Sequence, residues 1–180
     1  RYGWGLDRVE QAASYAADWV RYVNQTLGKY VRYWEIGNEN YGSWQAGSMV
    51  EGELLTGEMY GQIFRVFADS MKSVDPTIQL GAVIYPIDEE YNDWTAQVLP
   101  EVENDADFLI VHDYFAWAPN ENNITYDQMM GSIVEVSEDA EAVADMVNLY
   151  TDKPADHFPV AFTEFNSNTG HREVAMANAL

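Results

Sequence analysis

The chain has 180 residues, 47% of them hydrophobic and 14% aromatic, which is enough for one sizeable core and unlike a disordered segment. Its 30 acidic and 9 basic residues give a formal net charge of −21, which repels nucleic acid and anionic membranes, since both require a basic footprint. The absence of cysteine excludes a disulfide framework and thiolate metal sites without deciding the compartment.

Helix-like and strand-like stretches alternate along the chain, the pattern of an α/β protein with a parallel sheet. Residues 7–27 carry a helical apolar stripe through Val9, Ala12, Ala16, Trp19, Val20, Val23 and Leu27, closed by Gly28. A strand follows over residues 31–36. Thr56 can cap a helix whose apolar face is Tyr60, Ile63, Phe64, Phe67 and Met71, stopped by Val-Asp-Pro at 74–76. Residues 78–86 read as a strand buried on both faces. Residues 91–102 form a shorter helix with Trp94, Val98 and Val102 on one side. Residues 107–115 are a third strand, 118–125 a polar loop, and 138–150 a helix with acidic residues in its first turn. Residues 159–165 are a fourth strand, and a further helix starts at 171. No run is long and apolar enough to span a membrane, and the opening RYGWGLDRVE is no signal peptide. The acidic, Asn- and Tyr-rich composition suits a secreted or periplasmic protein, with the cytoplasm as the other option.

Such alternation fits an open doubly wound sheet or part of a barrel. Neither G-x-G-x-x-G nor G-x-x-x-x-G-K-[ST] follows any strand, as nucleotide-binding open sheets would require. Instead, each strand ends in polar or aromatic groups: Asn38 and Glu39, Tyr85, His112 and Tyr114, Glu164 and Asn166. In a (β/α)8 barrel those ends converge on one mouth, where active sites lie. A closed barrel takes about 250 residues, so the expectation is a partial barrel spanning roughly strands 4 to 7. It would be the central part of one catalytic domain, truncated at both ends.

Glycosidic bonds are cleaved by two carboxyl groups facing each other across the sugar, one a general acid and the other, in retaining enzymes, a nucleophile. Glu39 and Glu164 are the candidates, and only a fold that gathers strand ends can pair them. Taken alone, Glu39 reads equally as a loop glutamate, His112 as a core histidine, and the two tryptophans as packing residues. His112-Asp113 suggests a metal site, but no further histidine lies at ligand spacing, and none is expected.

The segment YWEIGNEN resembles the fourth-strand motif of clan A glycoside hydrolases, and VAFTEFN resembles their seventh-strand nucleophile segment. The stretch VRYWEIGNENYGSWQAG, with DPTIQLGAV downstream, is especially similar to family 51 α-L-arabinofuranosidases. The resemblance implies that Glu39 is the acid/base and Glu164 the nucleophile of a retaining, cofactor-independent enzyme acting on plant or algal polysaccharide. It implies that Asn38 bonds the sugar hydroxyl next to the anomeric carbon and that Tyr114 holds the nucleophile. His112, Trp44, Trp117 and Asn166 complete the substrate-binding set, the two tryptophans as flat faces for sugar rings. Glu35 and the Thr-Glu-Phe-Asn of 163–166 depart from the family 51 pattern, and the Trp-Glu-Ile form is closer to clan A xylosidases. Xylosidase, agarase-like and β-glucanase activities therefore stay open beside arabinofuranosidase, as does a non-catalytic carbohydrate-binding barrel.

Overall fold

The computed structural model describes residues 8–115 and 125–166. Trp117 and the helix expected from residue 171 lie outside them. Helix α1 (Val9–Val20) continues through a wider π-type segment, Arg21–Thr26, and closes at Gly28, whose φ of +60° is the left-handed value that suits glycine. Its buried face is Ala12, Ala13, Ala17 and Val20, while Trp19 is 67% exposed. The stripe expected through Trp19 and Leu27 is therefore turned aside, because the small residues of α1 form the side that packs against the next long helix.

Strand β1 (Tyr33–Ile36) is followed by a small antiparallel hairpin, β2 (Met49–Val50) and β3 (Glu53–Leu54), turned on left-handed Glu51 and Gly52. Helix α2 (Gly57–Val74) starts where Thr56 predicts: its hydroxyl accepts from the Met59 N–H at 3.2 Å. Tyr60, Phe64, Ala68 and Met71 are buried along its inner side. Strand β4 (Gln79–Val83) is almost wholly buried, as its continuous apolar run implies. Helix α3 (Trp94–Val102) begins three residues later than expected, because Tyr91, Asn92 and Asp93 are left-handed; Trp94, Val98 and Val102 are all buried. Strand β5 (Phe108–Asp113) precedes helix α4 (Tyr126–Gly131), a 3-10 turn over Ser132–Val134, and helix α5 (Glu135–Tyr150). Strand β6 (Val160–Phe165) ends the described chain. Helix α4 was not expected from the sequence, although Thr125 and Gln128 form a capping box at its start.

The main sheet runs β1-β4-β5-β6, every pair parallel. Each crossover carries the chain one strand further the same way, without the reversal that marks a doubly wound sheet. The result is a curled half-barrel, in agreement with the partial-barrel expectation. Leu80, Ala82, Leu109 and Val111 point outward into one core with Val20, Phe64, Val98, Val143 and Val147 from the helices. The alternate residues face inward, where Gly81 leaves room for the Phe108 ring and Ile110 of the neighbouring strand.

One irregularity matters for the site. Along β5 and β6, Val111 pairs with Phe162, but His112 pairs with Glu164, so Thr163 is an extra residue in β6. Without this bulge Glu164 would stand beside Asp113 and point to the opposite face, since a one-residue slip inverts every side chain. The bulge puts Glu164 on the inner face beside His112.

Candidate active site

At the carboxyl ends of the strands lies a cavity of about 930 Å3. Glu39 enters it from the turn after β1. That turn is sharp: Gly37 has φ of +99°, and a side chain there would run into the Asn40 amide. Glu39 itself adopts φ of 44°, a left-handed conformation uncommon for a residue with a Cβ and typical of strained functional sites. Asn40 Oδ1 accepts from the Asn38 N–H at 3.0 Å, and the Glu39 carbonyl accepts from the Gly42 N–H at 2.8 Å.

The Glu39 carboxylate takes three donors or near neighbours. Oε2 accepts from Trp44 Nε1 at 2.8 Å and from Gln45 Nε2 at 3.0 Å, while Oε1 lies 3.1 Å from His112 Nδ1. Burial pushes this carboxyl up, but the hydrogen bonds from Trp44, Gln45 and His112 outweigh it and hold it below the ordinary carboxylate range. Glu164 enters from β6: its Oε2 accepts from the Tyr114 hydroxyl at 3.0 Å and lies 3.7 Å from the same His112 nitrogen. That bond to Glu164 is the main reason the Tyr114 phenol is held above its usual pKa, with burial second. His112 is buried between the two carboxylates, and one oxygen from each lies within 4.8 Å of the other. Among the described residues these three are the set of ligating atoms close enough to take a metal ion, although Glu39 is already satisfied by its donors.

The structure thus brings Glu39, His112, Tyr114, Glu164 and Trp44 to one cavity. Asn38 and Asn166 are exposed and outside its lining, the latter tied by its N–H to the Asp113 carbonyl at 3.3 Å. Glu35 is remote from the pair, lining a second, smaller cavity with Tyr33, Phe108 and Thr163. Sequence reasoning missed Gln45, although it adjoins Trp44 just after the Asn-Glu-Asn. It also missed Tyr41 and Tyr91, which with the strand-end Tyr85 form an aromatic wall with ring centres 4.7–5.1 Å apart. The far wall, built by Asp113 with Glu135, Glu138 and Asp139, carries no sequence signal. Burial, aided by neighbouring carboxylates, pushes Asp113 and Asp139 each up to about 6.

A singly wound parallel sheet with a carboxylate pair at its carboxyl ends is the site architecture of a (β/α)8 barrel. No protein-family model matches the sequence. Among curated proteins, the chain is 30% identical over 115 residues to an intracellular exo-α-(1→5)-L-arabinofuranosidase of Streptomyces lividans, covering 63% of this chain and 16% of that protein. It is 25% identical over 150 residues to the enzyme of the same name from Halalkalibacterium halodurans, covering 71% and 29%. The chain therefore spans less than a third of the length of these relatives. Among solved structures, the α-L-arabinofuranosidases of Thermotoga maritima, in an arabinose complex, and of Thermotoga petrophila, of family GH51, superpose with TM-scores of 0.67 and 0.66. Their identities are 24% and 25%, each alignment covering 86% of this chain and 32% of theirs. A family 44 endoglucanase of Clostridium thermocellum shares the fold at 12% identity and a TM-score of 0.59, over 83% of this chain and 40% of its own. The resemblance drawn from the strand-end motifs is borne out: the relatives and neighbours are glycoside hydrolases, chiefly arabinofuranosidases. The curated relatives are named intracellular, which gives the secreted expectation no support. Among the described residues no helix is long and apolar enough to cross a membrane.

Proposed function

We propose that this chain is the central, carboxylate-bearing part of a single (β/α)8 catalytic domain of a retaining glycoside hydrolase acting on α-L-arabinofuranosides. The observation that carries the reading is the approach of Glu39 and Glu164, from strands far apart in sequence, to within 4.8 Å between oxygens. Carboxyl groups about 5–5.5 Å apart suit retention, whereas inversion needs about 6.5–9.5 Å to admit a water.

In the first step a Glu164 oxygen attacks the anomeric carbon as the glycosidic C–O bond breaks, and Glu39 gives a proton to the departing oxygen. In the second, water attacks the glycosyl ester, Glu39 takes its proton, and Glu164 is released. Tyr114 and His112 face Glu164 and steady its charge between turnovers. Asn38 and Asn166 meet the sugar from the rim, and Tyr41, Tyr85 and Tyr91 supply apolar faces. The relatives' names support a cytoplasmic location, in place of the secreted one that composition suggests.

Hydrolysis of an aryl-glycoside panel by the complete protein tests the reading. Turnover of the α-L-arabinofuranoside, lost in Glu164→Ala with sugar affinity nearly unchanged, supports it. Turnover confined to another glycoside transfers the same site to another clan activity, for which the endoglucanase-like fold neighbour speaks. Sugar binding without turnover of any glycoside would make the barrel a carbohydrate-binding module.

A further inference from the structure

The general acid of such a pair needs a proton, yet Glu39 is surrounded by donors. Two of them come from adjacent residues of one turn and meet on one oxygen: Trp44 Nε1 at 2.8 Å and Gln45 Nε2 at 3.0 Å from Oε2. The indole is seated for this purpose. It lies over the backbone of Gly42, where an added Cβ would collide with the ring, and it meets Tyr41 and Tyr91 edge-on at 6.2 and 5.9 Å. One face of the ring is thus covered by its own loop and its polar edge is aimed at Glu39, while the indole as a whole stays 59% exposed in the cavity.

We propose that Trp44 and Gln45 are positioning residues that hold Oε2 of Glu39 as an acceptor and so set the pH range over which Glu39 exchanges protons with substrate. The inference rests on Glu39 being the acid/base. A carboxylate oxygen that accepts two N–H bonds is favoured in its ionised form, the form the second step requires of a base. For the first step the same two bonds oppose protonation, so they set a ceiling on the pH at which the acid remains charged with its proton. The other groups facing Glu39 are His112 from β5, Glu164 from β6, and the phenols of Tyr41, Tyr91 and Tyr114. Among the described residues no lysine or arginine lines the cavity, and the two N–H donors with His112 are what hold Glu39 down.

The test is the pH profile of the complete enzyme carrying Trp44→Phe, Gln45→Leu or Gly42→Ala. Trp44→Phe keeps an aromatic face and removes only the donor; Gly42→Ala keeps both residues and displaces the indole. The basic limb of kcat/KM on a substrate with a poor leaving group reports the loss of the Glu39 proton. Each variant should move it to higher pH, by about one to two pH units for one charge-assisted bond lost. The acidic limb of kcat on an activated aryl glycoside, where Glu39 acts as base, should move up as well. A rise in KM with both limbs unmoved would overturn the proposal and return Trp44 to the role of a sugar platform. Glu39→Ala, run beside them, separates the two levels: full activity on the poor leaving group would remove Glu39 from the chemistry altogether. Loss of activity there with unmoved limbs in the other three variants would sink the positioning role alone.

Discussion

Tyr60 joins the core to the site, and its hydroxyl can be removed without changing the shape of the core. It is 2% exposed on α2; the hydroxyl donates to the Ile36 carbonyl at 2.6 Å and accepts from the Val83 N–H at 2.8 Å. Those two backbone groups lie where the β1–β4 ladder runs out, Ile36 being the last residue of β1 to pair. Burial pushes the phenol well above its ordinary pKa, so it remains neutral and available both as donor and as acceptor. Tyr60→Phe removes two hydrogen bonds and leaves a buried N–H and a buried carbonyl unpaired, at about 1–3 kcal/mol for each orphaned group. Because the two share one hydroxyl and one partner can relax, the expected loss is about 2–4 kcal/mol, a large share of the ~5–15 kcal/mol by which domains are stable. Urea unfolding of the complete protein measures it, with exposed Tyr22→Phe as a control expected to move by less than about 0.5 kcal/mol. Turnover should fall too, because Ile36 leads directly into the Gly37 turn that aims Glu39. A loss below about 0.5 kcal/mol for Tyr60→Phe would refute the reasoning, since both backbone groups would then be satisfied without the hydroxyl.

Gly81→Ala places a methyl group against the Phe108 ring and Ile110 on the inner face of the sheet. Overpacking of this kind costs about 1–3 kcal/mol, read by the same unfolding curves. Asp139 should show the opposite sign. Burial, with Asp113, Glu135 and Glu138 nearby, raises its pKa from 3.8 to about 6. The folded state therefore holds the proton more tightly than the unfolded one, so this group's contribution to stability is lost as pH rises from about 4 to 6. Asp139→Asn should be nearly neutral below pH 4 and stabilising by about 1 kcal/mol above pH 6, after allowance for solvent screening of a partly exposed group. Equal stabilities at pH 4 and pH 7 would count against it. Gly37→Ala should depress turnover more than stability, as it disturbs the left-handed turn and the Asn40 amide under Glu39; an unchanged kcat would show that the turn does not position the carboxylate.

The elements were largely legible because their periods are clean. Thr56 announced α2, the unbroken apolar run of β4 announced burial on both faces, and Trp94, Val98 and Val102 announced the side that α3 buries. What escaped was set by features without a periodic signature. The hairpin β2–β3 depends on two residues at positive φ, and the late start of α3 on three more. The burial of α1 follows its alanines, whose small apolar area a hydrophobic stripe underweights beside Trp19. At the site, the two glutamates, His112 and Tyr114 stood out because strand ends converge in a barrel. Their register did not, because it depends on the bulge at Thr163, which alone turns Glu164 inward. Trp44 was noticed as an aromatic residue, but its indole N–H as a partner of Glu39 needed the coordinates.

The most direct test of the account is covalent labelling of the complete protein with an activated 2-fluoro-α-L-arabinofuranoside, followed by peptide mass spectrometry. The account predicts one glycosyl adduct, on the peptide that contains Glu164. An adduct on Glu39, or hydrolysis that yields the inverted anomer with no adduct at all, would contradict it.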